Sequence, residues 1–146
     1  MDIRTATTDD LPALLALYRK LHPTDSAVSL EDAADILDRY RCYAGSDIFL
    51  GIVEGTFVAS CALVIIPNLT RGGLPYGLIE NVVTDPDHRK RGYGKAMLQA
   101  ATAAAWRHGC YKVMLLTGST NPATIRFYGD AGFEQTKTGF QIRRPA

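Results

Sequence analysis

The stretch Val82-Val83-Thr84-Asp85-Pro86-Asp87-His88-Arg89-Lys90-Arg91-Gly92-Tyr93-Gly94-Lys95 constrains this chain more than any other. A β-branched strand end runs into a Pro-containing turn, then into three consecutive cations. Two glycines one residue apart then open a segment rich in helix formers. The first turn of a helix presents N–H groups without intrahelical partners and a partial positive charge. Glycines let an anion approach that backbone, and Arg89, Lys90, Arg91 and Lys95 surround it with charge. The pattern predicts a cradle for a diphosphate. No Gly-Lys-Ser/Thr follows, so this is not a P-loop, and the third glycine of the dinucleotide fingerprint is missing after Gly94. The same residues also read as a surface helix start with glycines for flexibility. Two glycines and four cations within seven residues favour the cradle.

Charge is distributed accordingly. The chain's net +1 divides into −7 over residues 1–87, +7 over residues 88–129 and +1 over the remainder. A basic segment without a single acid predicts an anionic partner for that segment. A nucleic-acid binder would carry its basic excess globally, so nucleic acid is not expected as a partner. The 146 residues suit one domain, 1–146. Hydrophobic content of 47% and charged content of 21% exclude disordered, collagenous and disulfide-scaffold chains. Cys42, Cys61 and Cys110 are odd in number and form no Cys-x-x-Cys pair, the usage of a reduced, cytosolic protein. Met1-Asp2-Ile3-Arg4 lacks the apolar run of a signal peptide. The longest apolar run, Cys61 to Pro67, falls far short of the roughly 20 residues of a membrane helix. The expected location is cytoplasmic, with no membrane partner.

Periodicity gives the coarse elements. Residues 2–6 read as a short strand. Thr8 reads as the cap of a helix with Asp9 and Asp10 in its first turn and Leu11, Leu14, Leu15, Tyr18 and Leu21 on one face. Ser29 and Asp32 resemble a capping box before a second amphipathic helix carrying Leu30, Ala33, Leu37 and Tyr40. Asp47 to Glu54 and Phe57 to Ile66 read as a hairpin about Gly55, and Gly77 to Thr84 as a third long strand. Gly92 to His108 is a strong helix with Gly109 at its C-terminal cap. Tyr111 to Thr117 reads as a buried, parallel-type strand, and Asn121-Pro122 opens a short helix to about Ala131. Phe133 to Lys137 and Phe140 to Arg143 read as two closing strands. The expected order is βααβββαβαββ, an α/β (α+β) class with a mixed central sheet of about six to seven strands and about four helices.

Arg89-Lys90-Arg91-Gly92-Tyr93-Gly94 matches the Arg/Gln-x-x-Gly-x-Gly/Ala signature of the GNAT superfamily, the acetyl-CoA-dependent N-acetyltransferases. Leu78 to Pro86 resembles that family's fourth strand. Asn121, Ile125-Arg126-Phe127-Tyr128 and Ala131-Gly132-Phe133 resemble its Asn…Phe-Tyr…Gly-Phe element. A finer resemblance joins Ile79-Glu80-Asn81-Val82-Val83, Gly109-Cys110-Tyr111-Lys112 and Gln141-Ile142-Arg143 to glucosamine-6-phosphate N-acetyltransferases. Those commonly carry Asp where this chain has Asn81. The extra stretch Thr117-Gly118-Ser119-Thr120 before the last helix is a second departure.

The resemblance implies a GNAT fold in which the pyrophosphate of CoA rests on the amides of residues 89–94. The pantetheine arm then pairs with the backbone of Val82, Val83 and Thr84. The first strand pair and the parallel strand at 111–117 splay apart to form the acetyl pocket. Lys95 and Asn121 join the cofactor contacts, although Asn121 also reads simply as an N-cap. Glu80, a lone carboxylate in an apolar strand, is the candidate general base that deprotonates the amine, directly or through water. Its alternative is a substrate-binding or solvent-facing residue. Tyr128 holds the family's place beside the CoA sulfur, where a phenol can protonate the departing thiolate. Its alternative is a core residue on an amphipathic helix.

His22, His88 and His108 show no metal-ligand spacing, and no Gly-x-Ser-x-Gly elbow exists. The expected function is therefore direct transfer of an acetyl group from acetyl-CoA to a primary amine, without a covalent enzyme intermediate and without a metal. The expected acceptor is a small molecule. A peptide N-terminus or lysine is the alternative, as is a non-catalytic CoA-binding module, and a homodimer is compatible with the family.

Overall fold

A left-handed pair of residues organises the centre of the molecule. Glu54 and Gly55 have φ of 49° and 76°, the two-residue turn whose twist matches the strands it joins. It connects strands β2 (Asp47–Val53) and β3 (Thr56–Ile66) in a computed structural model that describes residues 1–145. Strand β1 (Asp2–Thr5) pairs antiparallel with β2, β4 (Tyr76–Thr84) pairs antiparallel with β3, and β5 (Val113–Leu115) pairs parallel with β4. The sheet is mixed, in the order β1-β2-β3-β4-β5.

Helices cover both faces, because residues pointing each way from the inner strands are apolar. On one face, Leu11 and Leu14 of α1 (Leu11–Leu21) and Ala33 and Leu37 of α2 (Leu30–Arg41) pack on Ile48, Leu50 and Ala62. On the other, Met97, Leu98, Ala101, Ala104 and Ala105 of α3 (Tyr93–Arg107) pack on Val58, Cys61, Leu63 and Ile79. Small residues bring α3 close to the sheet: a Cβ at Gly77 would stand 3.3 Å from the Ala105 Cβ. α3 is also the crossover that makes β4 and β5 parallel. The last helix, α4 (Pro122–Asp130), lays Phe127 and Tyr128 on the α3-side core.

Three expectations need correction. The helix expected from Thr8 is a 3₁₀ turn at Thr8–Asp10, and α1 begins at Leu11. The sheet has five strands rather than six to seven, because Phe133–Lys137 and Phe140–Arg143 form no strand among the described residues. A strand exists only with a ladder partner, and Phe140 and Ile142 are 95% and 99% exposed with nothing facing them. The strand expected over Tyr111–Thr117 shrinks to Val113–Leu115. Beyond Leu115 the chain leaves β4, and that divergence creates the site. Among the described residues, no helix is long and apolar enough to cross a membrane.

Candidate functional site

β4 is paired on both edges only at its start. β5 bonds Gly77, Leu78 and Ile79, so Glu80 to Thr84 have no strand on that side. An open backbone edge of this kind accepts an extended chain as an added strand. A bulge lies at its beginning. Ser60 pairs with Val83 and Ala62 with Glu80, so Asn81 and Val82 together oppose Cys61. Asn81 takes φ of 52°, a left-handed conformation that Asn tolerates better than most residues. The extra residue changes which way the strand points. Val82 packs with the α3-side core, while Glu80, opposite Ala62, belongs to the face covered by α1 and α2.

The two glycines of the basic loop serve different ends. Gly92 has φ of 80° and caps α3, and a Cβ there would meet nothing within 4 Å. This is open space before the unpartnered N–H groups of the helix. Gly94 is closed in: its Cβ would come 3.0 Å from Phe127 Cζ and 3.2 Å from Thr84 Oγ1. Its smallness locks the first turn of α3 against α4 and the end of β4. Lys90 is also left-handed, with φ of 61°, and Arg89 Nε donates to the Thr84 carbonyl at 3.3 Å. Arg89, Lys90, Arg91 and Lys95 are exposed, so their charges are available to an anion at Gly92. Tyr93 is half-buried against the α3-side core and acts there as packing. Arg107 and Lys112 stand at the other end of α3, about 20 Å from Gly92 by the rise of the helix. There Lys112 Nζ lies 5.0 Å above the Tyr76 ring, so the basic block divides into a cradle and a separate surface cluster.

Tyr128 on α4 is half-buried, with its ring centroid 5.0 Å from that of Phe127. Burial raises its phenol pKa, and the charge of Glu80 raises it further. Glu80 is therefore near enough for its charge to act on Tyr128. Glu80 is exposed, not buried. Asn121 caps α4, its Oδ1 accepting from the Ala123 N–H at 2.9 Å, so the capping role is realised.

Three further groups on the α1–α2 side escaped the sequence reading. Tyr40 of α2 has its phenol pKa raised by burial and then by Glu80. Tyr18 of α1 is pushed up to about 12 by burial. The Tyr18 and Ser60 hydroxyls are buried without a hydrogen-bond partner. Tyr18 and Tyr40 lay on helical faces that read as plain apolar packing. The available signal was Ser60, a lone hydroxyl inside the apolar run of β3.

These residues fit a thioester carried on a diphosphate: space and N–H groups at Gly92, an open strand edge at residues 80–84 that begins at the Glu80 carboxylate, and the Tyr128 phenol on α4. Comparison with known proteins identifies the family. The acetyltransferase (GNAT) family profile matches residues 9–133. A glucosamine 6-phosphate N-acetyltransferase of Trypanosoma brucei brucei is 35% identical over 135 residues, 91% of this chain and 88% of that protein. A solved chain from Agrobacterium tumefaciens str. C58 is 44% identical with a TM-score of 0.91, covering 99% of this chain and 100% of its own. The glucosamine-6-phosphate N-acetyltransferase of Arabidopsis thaliana, 23% identical, shares the fold at a TM-score of 0.84, over 99% of this chain and 97% of that one.

Proposed function

The chain belongs to the GNAT family of acetyltransferases, and on that premise we propose that it passes the acetyl group of acetyl-CoA directly to the primary amine of a small molecule. The observation that carries this reading is the unpaired edge of β4 from Glu80 to Thr84, running between the Glu80–Tyr128 pair and the Gly92 cradle. Acetyl-CoA supplies an activated acyl group on a thiol leaving group. Residues 89–94 receive its diphosphate, with Arg89, Lys90, Arg91 and Lys95 around it, and the backbone of Val82, Val83 and Thr84 aligns the arm.

Glu80 takes the proton from the acceptor ammonium, directly or through water, because only a neutral amine attacks a thioester. Tyr128 gives its proton to the departing thiolate. Base and acid act on the same carbonyl, so attack and departure proceed there without a covalent enzyme intermediate. The Val82 N–H is the donor offered to the carbonyl oxygen as charge develops on it. Asn121 adds its side-chain amide beside the arm while its carbonyl oxygen caps α4.

Among amines, glucosamine 6-phosphate heads the panel, because the Trypanosoma relative is named for it over most of both chains. Asn81 in place of the usual Asp is compatible with that acceptor, since either residue accommodates the left-handed bulge. The acidic first part of the chain, net −7 over residues 1–87, favours a basic peptide as the second class of acceptor. Release of free thiol from acetyl-CoA across small amines and short peptides tests both. Turnover of small amines above peptides supports the first, and silence across the whole panel refutes catalysis.

The reading includes a homodimer. Phe140 and Ile142 lie open in a C-terminal segment that has no strand partner among the described residues, and a second copy is the occupant assigned to them. Light scattering of the intact chain and of Phe140→Ser/Ile142→Ser decides this, with a monomeric wild type overturning it.

A further inference from the structure

The passage from β4 into the cradle hangs on one carboxylate. The Asp85 N–H donates to the Val58 carbonyl at 2.8 Å, which continues the sheet past the end of β4. Its side chain accepts from the Asp87 N–H at 3.0 Å, and its carbonyl accepts from the His88 N–H at 2.9 Å, closing the turn at Pro86–His88. The Lys20 ammonium, from the last turn of α1, forms an ion pair with the same carboxylate. His88 Nδ1 lies 3.7 Å from it, buried and without a hydrogen-bond partner. Asp85 is buried while Lys20 is half exposed.

A buried carboxylate next to an anion site is adverse on charge alone, since it repels the ligand. Its benefit must then be geometric. The 85–88 turn delivers the chain to Arg89, whose Nε bonds Thr84, and to the left-handed Lys90 and Gly92. A small rotation of that turn would carry the whole cradle away from the open edge of β4. Lys20 does two things at once. It offsets the charge of Asp85 toward the cradle, and it ties the turn to α1, the helix that also carries Tyr18.

We propose that Asp85 is a positioning residue for the diphosphate cradle and that Lys20 holds it in place, joining the cofactor loop to α1. The proposal rests on residues 89–94 being the acetyl-CoA site. Charge and position predict opposite signs for Asp85→Asn. Removing a negative charge beside the phosphates would tighten CoA binding if electrostatics alone mattered. Loosening the turn weakens it, by about tenfold for a displacement well under an ångström.

The test is calorimetric titration of CoA into wild type, Asp85→Asn, Lys20→Met and Lys20→Arg. Asp85→Asn and Lys20→Met are each expected to lose about tenfold in affinity, and Lys20→Arg to restore it. With the amine that turns over fastest, the KM for acetyl-CoA rises while kcat at saturation stays within about twofold, a split that a loss of folded protein would not give. Should Asp85→Asn fail to fold in a thermal melt, Lys20→Met carries the test, because its half-exposed side chain contributes little to stability. Variants that bind CoA as tightly as wild type, or more tightly, overturn the proposal. A wild-type chain that binds no CoA overturns the functional reading beneath it.

Discussion

Tyr128 on α4 feels the charge of Glu80 on β4, which adds to burial in raising the pKa of its phenol. A phenol in that setting stays protonated at neutral pH, the state a general acid needs. Tyr128→Phe removes the proton and little else. It should lower kcat about a hundredfold while CoA affinity stays near wild type, read by thiol release at saturating substrates. An unchanged kcat would return Tyr128 to packing against Phe127.

Glu80→Gln separates base from binder. A base variant leaves the acceptor to shed its own proton, so the rate loss is about a hundredfold near pH 7 and shrinks as pH rises toward the amine pKa. A second effect runs through Tyr128: without the Glu80 charge, its pKa moves down, and the alkaline limb of the kcat profile moves down with it. A loss that is constant with pH and confined to the acceptor KM would make Glu80 a binding residue.

The helix start at Gly92-Tyr93-Gly94 and the short helix capped by Asn121 were legible in the sequence because each depends on local chemistry. Gly92-Tyr93-Gly94 after three cations can do few other things, and Tyr128 follows Asn121 within one short helix. The bulge at Asn81–Val82 was not legible, because it is a property of pairing with Ser60 and Ala62 and leaves no mark on β4 alone. The Lys20–Asp85 pair joins residues 65 positions apart and could not be read from spacing. The closing strands failed for the opposite reason. Phe140 and Ile142 alternate as a strand does, but alternation cannot supply the ladder partner that a strand needs.

Gly92 separates strain from charge. Gly92→Ala places a Cβ in open space but at a φ of 80°, costing about 1 kcal/mol of backbone strain and a correspondingly small part of CoA affinity. Gly92→Glu carries the same strain and adds bulk and a negative charge at the proposed diphosphate site, so CoA binding should disappear. Equal calorimetric affinities for the two variants would place the diphosphate elsewhere.

Tyr18 and Ser60 carry buried hydroxyls that bond to nothing, and an unsatisfied hydroxyl normally costs about 1–3 kcal/mol. Tyr18→Phe should therefore leave Tm unchanged or raise it by a few degrees, as removing a buried ring would not. The same variant should raise the KM of a hydroxyl-bearing acceptor if the phenol faces it in turnover. A lowered Tm would show that the hydroxyl is already satisfied in solution.

Arg4 and Asp10 give the fold an acid-sensitive joint at the start of α1. The guanidinium reaches both carboxylate oxygens, at 2.5 and 2.8 Å, and Thr7 adds its N–H at 2.7 Å and its hydroxyl at 2.9 Å. Arg4 above all, helped by Thr7, holds the Asp10 carboxyl well below the usual carboxylate range, although burial works the other way. A carboxyl whose pKa is lower folded than unfolded adds stability that is complete above its unfolded value, about 3.9. That stability is lost as pH falls through the folded value. Asp10→Asn keeps the shape and loses the charge. Its deficit, about 2 kcal/mol from lost charge-assisted bonds, should be constant between pH 7 and about pH 5 and shrink steadily below that. Urea unfolding of both chains across that range measures it. A deficit that persists unchanged at the acid end would mean that Asp10 acts through shape and not through its charge.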